Sequence, residues 1–179
     1  RDPWMWRAII ARKHDIVYGK FFDKKAGFIS RQWLPVFANY RRDGYDFDAL
    51  YEDGKAPNKH KKIMDNFMED KEDAEIFSSV LKKQAGFGKD GEKGFDGAIA
   101  SLMMQMYLCN CDFRKRVNKK GMAYGWDVAV YSSIEHIYGY DHVTSCYRED
   151  PQESWNRIVN HIHEIYPIAT DQQIRKVLK

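Results

Sequence analysis

Residues 95–131 read FDGAIASLMMQMYLCNCDFRKRVNKKGMAYGWDVAVY, and the spacing of their apolar side chains changes once along the stretch. The first apolar positions recur at intervals of three and four residues: Phe95, Ala98, Ile99, Leu102, Met103 and Met106. This spacing predicts a helix from about Glu92 to Tyr107 with one continuous buried stripe. After Tyr107 the period falls to about two. We therefore predict a strand over residues 107–113, a basic loop over 114–124 and a returning strand over 126–131.

Two further helices are predicted immediately before this stretch. The first covers Asn58–Met68, and the second covers Phe77–Ala85, where Gly86 suits the left-handed position that closes a helix. The resulting order of helix, helix, turn, helix, strand, basic loop and strand is that of a winged helix-turn-helix. The sequence thus predicts an α+β protein with this motif over residues 58–133.

The flanking segments predict smaller elements around the motif. Upstream we expect the end of a helix at Arg12, a β-hairpin with a longer turn over Asp15–Ile29, and a helix capped by Ser30 that ends near Tyr40. Residues 41–57 have the composition of a loop. Downstream we expect two helices, one beginning near Pro151 and one capped by Thr170.

These elements suggest three regions. They are an N-terminal hairpin and helix region over residues 1–57, the winged helix over 58–133, and C-terminal helices over 134–179 that pack on the same domain. Because the chain begins at Arg1 without an initiator methionine, we expect the first region to be a fragment of a larger unit.

Composition excludes several classes of protein. With 44% hydrophobic and 15% aromatic residues the chain has enough apolar surface for a core, so global disorder is not expected. No apolar run approaches the roughly 20 residues of a membrane span. Three cysteines without a regular framework indicate a reducing compartment, and we expect a cytoplasmic protein. Cys109 and Cys111 could supply two zinc ligands, but two small core residues on one face of a strand is the favoured interpretation.

Charge is distributed unevenly along the chain. The overall net charge is only +3, but residues 65–75 carry six acidic groups against one lysine, and residues 111–124 carry five basic groups against one aspartate. The predicted third helix contains neither arginine nor asparagine, the side chains most suited to reading bases there. We therefore expect double-stranded DNA to be bound without sequence specificity, by contacts to phosphates. The candidate contact residues are Lys24, Lys25, Lys82, Lys83, Lys89, Lys93, Arg114, Lys115, Arg116, Lys119 and Lys120.

Three segments resemble a known family. They are residues 17–30 (VYGKFFDKKAGFIS), residues 102–107 (LMMQMY) and residues 124–129 (YGWDVA). Together they resemble bacterial proteins related to AlkZ, the winged-helix DNA glycosylases, over most of the chain. The resemblance implies tandem winged helices, no metal or other cofactor, and a reaction in which water displaces an alkylated base.

The resemblance also suggests one catalytic residue. The family uses a Gln-x-Gln motif in which one amide helps to position the water. The nearest match here is Met103-Met104-Gln105, so Gln105 is the candidate catalytic residue and Met103 occupies the partner position. An ordinary polar position on a helix is the alternative for Gln105.

The function of the upstream hairpin and of the whole chain has competing interpretations. The Asp15–Ile29 hairpin, with Lys20, Lys24 and Lys25 among aromatic residues, could probe a distorted duplex, or it could pack its aromatics on the core and leave the lysines solvated. The main alternative to a glycosylase-like protein is a non-enzymatic winged helix that acts as a transcriptional regulator or a protein-interaction module.

Overall fold

The fold is organised around one antiparallel sheet. The computed structural model describes residues 3–67, 74–89 and 91–178, and it has five strands in the order β2-β1-β4-β5-β3. The strands are β1 (Ile16–Phe22), β2 (Lys25–Ser30), β3 (Ile76–Phe77), β4 (Leu108–Val117) and β5 (Ala123–Ser133). The predicted α+β class is confirmed. The sheet joins the upstream hairpin to the downstream one, because Tyr18 of β1 pairs with Asn110 of β4.

Helices precede, interrupt and follow the strands. They are α1 (Pro3–Lys13), α2 (Leu34–Arg42), α3 (Phe47–Glu52), α4 (Asn58–Met64), α5 (Ser78–Gln84), α6 (Phe95–Met104), α7 (Ile134–Tyr138), α8 (Tyr140–Val143), α9 (Pro151–Ile165) and α10 (Asp171–Leu178). Asp150 caps α9, and Thr170 accepts a hydrogen bond from the Gln173 amide at the start of α10, as predicted.

Three predictions for the N-terminal region are wrong. The β1–β2 turn is not long: it consists of Asp23 and Lys24, both with positive φ, as a two-residue hairpin requires. Ser30 ends β2 and does not cap a helix, since α2 begins four residues later with a proline in its first turn. Residues 41–57 are not all loop, because the aromatic side chain of Phe47 is buried and allows α3 to form.

The central segment follows the prediction more closely. Helices α4, α5 and α6 occur in the expected order, although α6 is shorter than the predicted 92–107. Gly86 adopts a φ of 79° and closes α5, with the Phe87 amide donating to the Lys82 carbonyl. The sequence did not predict β3, a two-residue strand paired with β5. Met68 and most of the acidic run, residues 68–73, lie outside the described residues.

Arg42 is a fully buried cation that links several elements of the core. The Arg42 guanidinium donates to the carbonyl of Met106, to Glu135 and to the Tyr147 hydroxyl, so α2, the end of α6 and α7 share one hydrogen-bonded centre. Its side chain is inaccessible to solvent. Burying an arginine without such partners would be strongly unfavourable, so this network fixes how α2 and α6 meet.

Candidate nucleic-acid interface

The end of the β4–β5 hairpin stands away from the body of the protein. Every residue from 114 to 127 is exposed, whereas the inner halves of both strands are mostly buried. We call residues 114–127 the distal hairpin. The predicted basic loop over 114–124 is wrong in extent, because β4 continues to Val117 and β5 begins at Ala123. Arg114, Lys115 and Arg116 therefore lie on a strand.

The turn of the distal hairpin is built by its own sequence. The Asn118 side chain accepts hydrogen bonds from the amides of Lys120 and Met122, at 2.9 and 3.0 Å. Gly121 has a φ of 78°, which a side chain would strain. Such an asparagine-centred turn holds its backbone without help from other elements. Lys119 and Lys120 are thereby held at the outer end of the hairpin.

Four basic side chains of the distal hairpin are available for contacts. Lys115, Arg116, Lys119 and Lys120 are exposed, and no carboxylate among the described residues pairs with them. Over the whole distal hairpin, five basic residues stand against one acid, Asp127, which forms no ion pair with these four among the described residues. The hairpin therefore keeps a net positive charge, which suits contact with a polyanion.

Arg114 differs from the four other basic residues because it is ion-paired. It donates to Asp112 and to Glu75, and Asp112 also accepts a 2.6 Å hydrogen bond from Arg12 of α1. Burial opposes ionisation of Asp112, but the hydrogen bonds from the two arginines lower its pKa below the ordinary value. Arg114 thus anchors the base of the distal hairpin to α1 and to the segment before β3.

An irregularity in β5 displays a tryptophan. Arg114 pairs with Val128 and Arg116 with Tyr124, so the single residue Lys115 lies opposite a three-residue segment of β5, residues 125–127. Gly125 has a φ of 74°, the left-handed conformation common in bulges. The side chain of Trp126 that follows it is 90% exposed. The sequence interpretation missed this feature, although a glycine within a strand pattern is a signal for a bulge.

A second group of predicted lysines lies around the start of α6. Lys82 and Lys83 on α5 and Lys89 and Lys93 in the following link are all exposed. Lys82 is 6.0 Å from the ring centre of Phe95.

Two lysines of α4 that the sequence interpretation missed border this second group. Lys59 donates to the Lys93 carbonyl at 3.0 Å, and Lys59 and Lys62 form ion pairs with Glu92. The hydrogen bond from Lys62 lowers the pKa of Glu92. The positive charge of this surface is therefore partly neutralised by Glu92. Lys59 and Lys62 are three residues apart, so they lie on one face of a helix. This spacing could have indicated from the sequence that the two lysines act together.

The upstream hairpin places Lys24 and Lys25 elsewhere. From the Tyr18–Asn110 pair, the β1–β2 turn lies five residues in one direction and Asn118 lies eight residues in the other. At about 3.3 Å per residue the two turns are roughly 40 Å apart. The structure therefore does not bring Lys24 and Lys25 together with the distal hairpin.

Helix α6 is covered by its neighbours. Phe95, Ala98, Ile99, Ala100, Leu102 and Met103 are all buried. The backbone amides of Lys20 and Lys24 donate to the sulfurs of Met103 and Met104. The β1–β2 hairpin, called the first hairpin below, therefore lies against the C-terminal half of α6. The exposed residues of α6 are Asp96 and Gly97.

Gln105 caps the C-terminal end of α6 and is not a residue of the helix interior. It is partly buried, and its amide oxygen is shielded from solvent without a hydrogen-bond partner. Met106, which follows it, has a φ of 66°, so the backbone turns sharply there toward β4. Gln105 thus lies at the same end of α6 as Met104, the residue that contacts the first hairpin.

A concave site lies at the edge of the sheet, beside β2. It encloses about 350 Å³ between edge strand β2 and helices α2, α9 and α10, and aromatic residues such as Phe28, Trp33 and Phe37 line it. The ring of Trp33 stacks on His161 at 4.4 Å. Gln105 and the basic residues named above are not among its lining residues. This cleft is therefore mainly apolar and separate from Gln105 and from the basic residues.

Two of the three cysteines are core residues in the structure. Cys109 and Cys111 are buried on β4, with their thiols 3.8 and 3.5 Å from carbonyls of β5, and burial raises the pKa of both. In the parts of the chain that the structure describes, no three His, Cys, Asp or Glu side chains cluster as metal ligands. Across residues 3–67, 74–89 and 91–178, no helix has the length and apolarity that crossing a bilayer requires.

Comparison with known proteins identifies the family. The chain matches the family described as AlkZ related over residues 1–179. No curated protein and no solved structure matched the chain. Because the match covers the whole sequence given, this protein belongs to the AlkZ-related family.

Proposed function

We propose that this protein binds double-stranded DNA through its sugar–phosphate backbone and takes part in the repair of alkylated bases. The binding unit would be a winged helix-turn-helix over residues 58–133, flanked by residues 1–57 and 134–179. Supporting this, α4, β3, α5, α6, β4 and β5 follow one another in the order of that motif, and β3 pairs with β5. The tandem arrangement implied by the family resemblance stays a prediction.

The observation that carries the proposal is the excess of positive charge on the distal hairpin. In a winged helix the hairpin is the wing, and its basic side chains contact phosphates beside the helix that faces the groove. Lys115, Arg116, Lys119 and Lys120 have the exposure and the freedom from ion pairs that such contacts require. The lysines around the start of α6 would extend the contact surface toward Lys82 and Lys93.

Damage-directed binding fits the structure better than operator recognition. A regulator of this type inserts an exposed third helix in the major groove, where its side chains read base edges. Here the β1–β2 hairpin covers part of α6, and the exposed residues of α6 are an aspartate and a glycine. This arrangement also counts against the alternative of a transcriptional regulator, which depends on that helix.

For the chemical step we propose Gln105 as the residue that positions a water molecule. The water oxygen would bond to C1′ of the damaged nucleotide as the C1′–N bond breaks. The alkylated base, positively charged before cleavage, would leave as a neutral molecule with the bonding electrons, and the attacking water would lose its proton to solvent to leave a C1′ hydroxyl. A neutral amide orients a water but is a weak general base, so its contribution would be mainly positional. The amide oxygen of Gln105 has no protein partner among the described residues, but it is shielded from solvent, so this role requires a movement of the neighbouring side chains that admits the water.

Binding is tested with an end-labelled 20-base-pair duplex titrated at several salt concentrations. We expect an apparent association constant that falls steeply with salt, because each phosphate contact contributes a slope of about −0.9 in a double-logarithmic plot. Absence of binding at low salt would remove the proposed DNA-binding function.

The chemical step is tested separately on duplex DNA containing N7-methylguanine, scored for abasic sites. We expect release of the base by the wild type and a strong reduction in Gln105→Ala, with duplex affinity unchanged. Release at the background rate by the wild type would exclude this lesion as a substrate and leave DNA binding to stand on its own test.

A further inference from the structure

The distal hairpin carries an aromatic surface beside its charge. The side chain of Trp126 is 90% exposed, the largest value among the large apolar residues that the structure describes. Tyr124, two residues earlier, is 49% exposed, and it pairs across the strands with Arg116. Cross-strand partners lie on one face of a hairpin, so a cation and an aromatic ring share that face.

The exposure of Trp126 is built into the backbone. Residues 125–127 of β5 lie opposite Lys115 alone, and the left-handed Gly125 immediately precedes the tryptophan. A bulge of this kind redirects a side chain that a regular strand would direct along the pleat. A single exposed apolar residue is ordinary, but Val117, Met122 and Tyr124 of the same hairpin are exposed as well, and a group of exposed apolar residues is typical of an interaction surface.

The neighbouring charge identifies the chemistry of that partner. The distal hairpin carries five basic residues against one acid, Asp127, so a partner that meets Trp126 also meets a net positive potential. A nucleic acid offers both a stackable aromatic face and flanking phosphates, and basic grooves with aromatic platforms bind it in this way. Stacking is easiest where a base has already lost its partner, because less pairing and stacking must be broken.

We infer that Trp126 is a stacking residue that inserts at an unpaired or unstacked base of duplex DNA while the surrounding lysines hold the flanking phosphates. The inference rests on the proposed DNA-binding function and adds to it a preference for locally distorted duplexes. Trp126 acts as the wedge and Tyr124 lines its approach, in a manner known for apolar side chains that enter base steps.

The test compares two duplexes of identical sequence, one fully paired and one with a single unpaired adenine at its centre. Wild-type protein binds the bulged duplex more tightly. Trp126→Ala loses this preference with a roughly tenfold loss of affinity, whereas Trp126→Phe, which retains a stacking ring, keeps most of it. Trp6→Ala is the matched control, because Trp6 is a tryptophan of α1 that is 52% exposed and lies outside the distal hairpin.

A spectroscopic readout separates stacking from a general effect on the hairpin. With 2-aminopurine as the unpaired base, we expect wild-type protein to quench its fluorescence and Trp126→Ala to leave it unquenched. The salt dependence of binding stays the same in Trp126→Ala, since that variant removes no charge.

The outcomes distinguish the inference from the function on which it rests. If wild-type protein binds no duplex at low salt, the proposed function fails and the inference with it. If wild type and Trp126→Ala bind the bulged duplex equally, only the inference is overturned. It is also overturned if phosphatidylglycerol vesicles shift the tryptophan fluorescence of the wild type but not of Trp126→Ala and the protein shows no preference for the bulged duplex, since the surface would then serve a membrane.

Discussion

The two hairpins of this protein have similar sequence signals and opposite environments. Each combines lysines at or near its turn with aromatic residues on its strands. In the β1–β2 hairpin Val17, Phe21 and Ile29 are buried and α6 lies against the turn, whereas in the distal hairpin all residues are exposed. Lys24 and Lys25 are exposed as well, so the two hairpins differ in their aromatic side chains: Phe21 is buried in the core, whereas Trp126 is available to a partner.

The largest expected effect comes from truncating one aromatic residue in each hairpin. Phe21→Ala removes a ring with no solvent exposure and should lower the free energy of unfolding by about 3–5 kcal/mol. Trp126→Ala should change it by less than about 0.5 kcal/mol, because the indole makes few contacts. Chemical denaturation of both variants measures the difference. Equal losses would show that the distal hairpin is packed in solution, and the contrast between the hairpins would disappear.

The next effect concerns charge. Lys119→Ala combined with Lys120→Ala should reduce the magnitude of the salt slope of duplex binding by about 1.8. If wild type and double variant bind equally at about 1 M salt, the double variant then binds roughly 60-fold more weakly than the wild type at about 0.1 M salt. The matched double variant removes Lys24 and Lys25, which lie on the other hairpin. Because those lysines are roughly 40 Å from the distal turn, we expect a smaller change in the slope. A larger change in the second variant would move the DNA interface to the first hairpin.

Helix order and sheet class could be predicted because they depend on local patterns. The apolar spacing of Phe95 to Met103 indicates α6, and Gly86 indicates the end of α5. Strand β3 has only two residues, which is too short for a recognisable pattern. Helix α3 forms because Phe47 is buried in a core that distant segments build. Long-range contacts of this kind leave no periodic signal along the chain.

The candidate site shows the same division. The sequence places Lys115 to Lys120 in one basic segment, but it does not show that Arg114 forms ion pairs with Asp112 and Glu75. It also does not show that the first hairpin covers α6 or that its turn lies far from the other one. Those facts depend on strand register and on pairs separated by many residues, such as Arg42 with the Met106 carbonyl.

A smaller effect is expected from alanine at one glycine in each hairpin. At Gly19 a Cβ atom would lie 2.7 Å from the ring of the buried Phe21, so Gly19→Ala should destabilise the protein by about 1–3 kcal/mol through overpacking. At Gly125 a Cβ atom would meet nothing within 4 Å, but the positive φ should cost about 1 kcal/mol of backbone strain. Thermal or urea unfolding ranks the two. A neutral Gly19→Ala would mean that Phe21 moves freely, contrary to its burial.

The smallest expected effect tests the junction between the anchored and the exposed parts of β4. Asp112 lies there, clamped by Arg12 and Arg114, which hold its pKa below the ordinary aspartate value of about 3.9. An acid with a lowered pKa in the folded state stabilises the fold fully above its unfolded pKa. This stabilisation is lost as the pH falls through the lowered value, because the folded state must then take up a proton against the two arginines. Asp112→Asn should therefore reduce the stability at neutral pH and flatten the acid limb of the stability profile, measured as urea midpoints from pH 6 downward. Glu153→Gln, which removes one exposed carboxylate of α9, serves as the control for the loss of an acid outside the clamp. If the acid limb of Asp112→Asn parallels that of the wild type, the arginine clamp does not hold the distal hairpin. The hairpin must then take its orientation from the pairing of β4 with β5 alone.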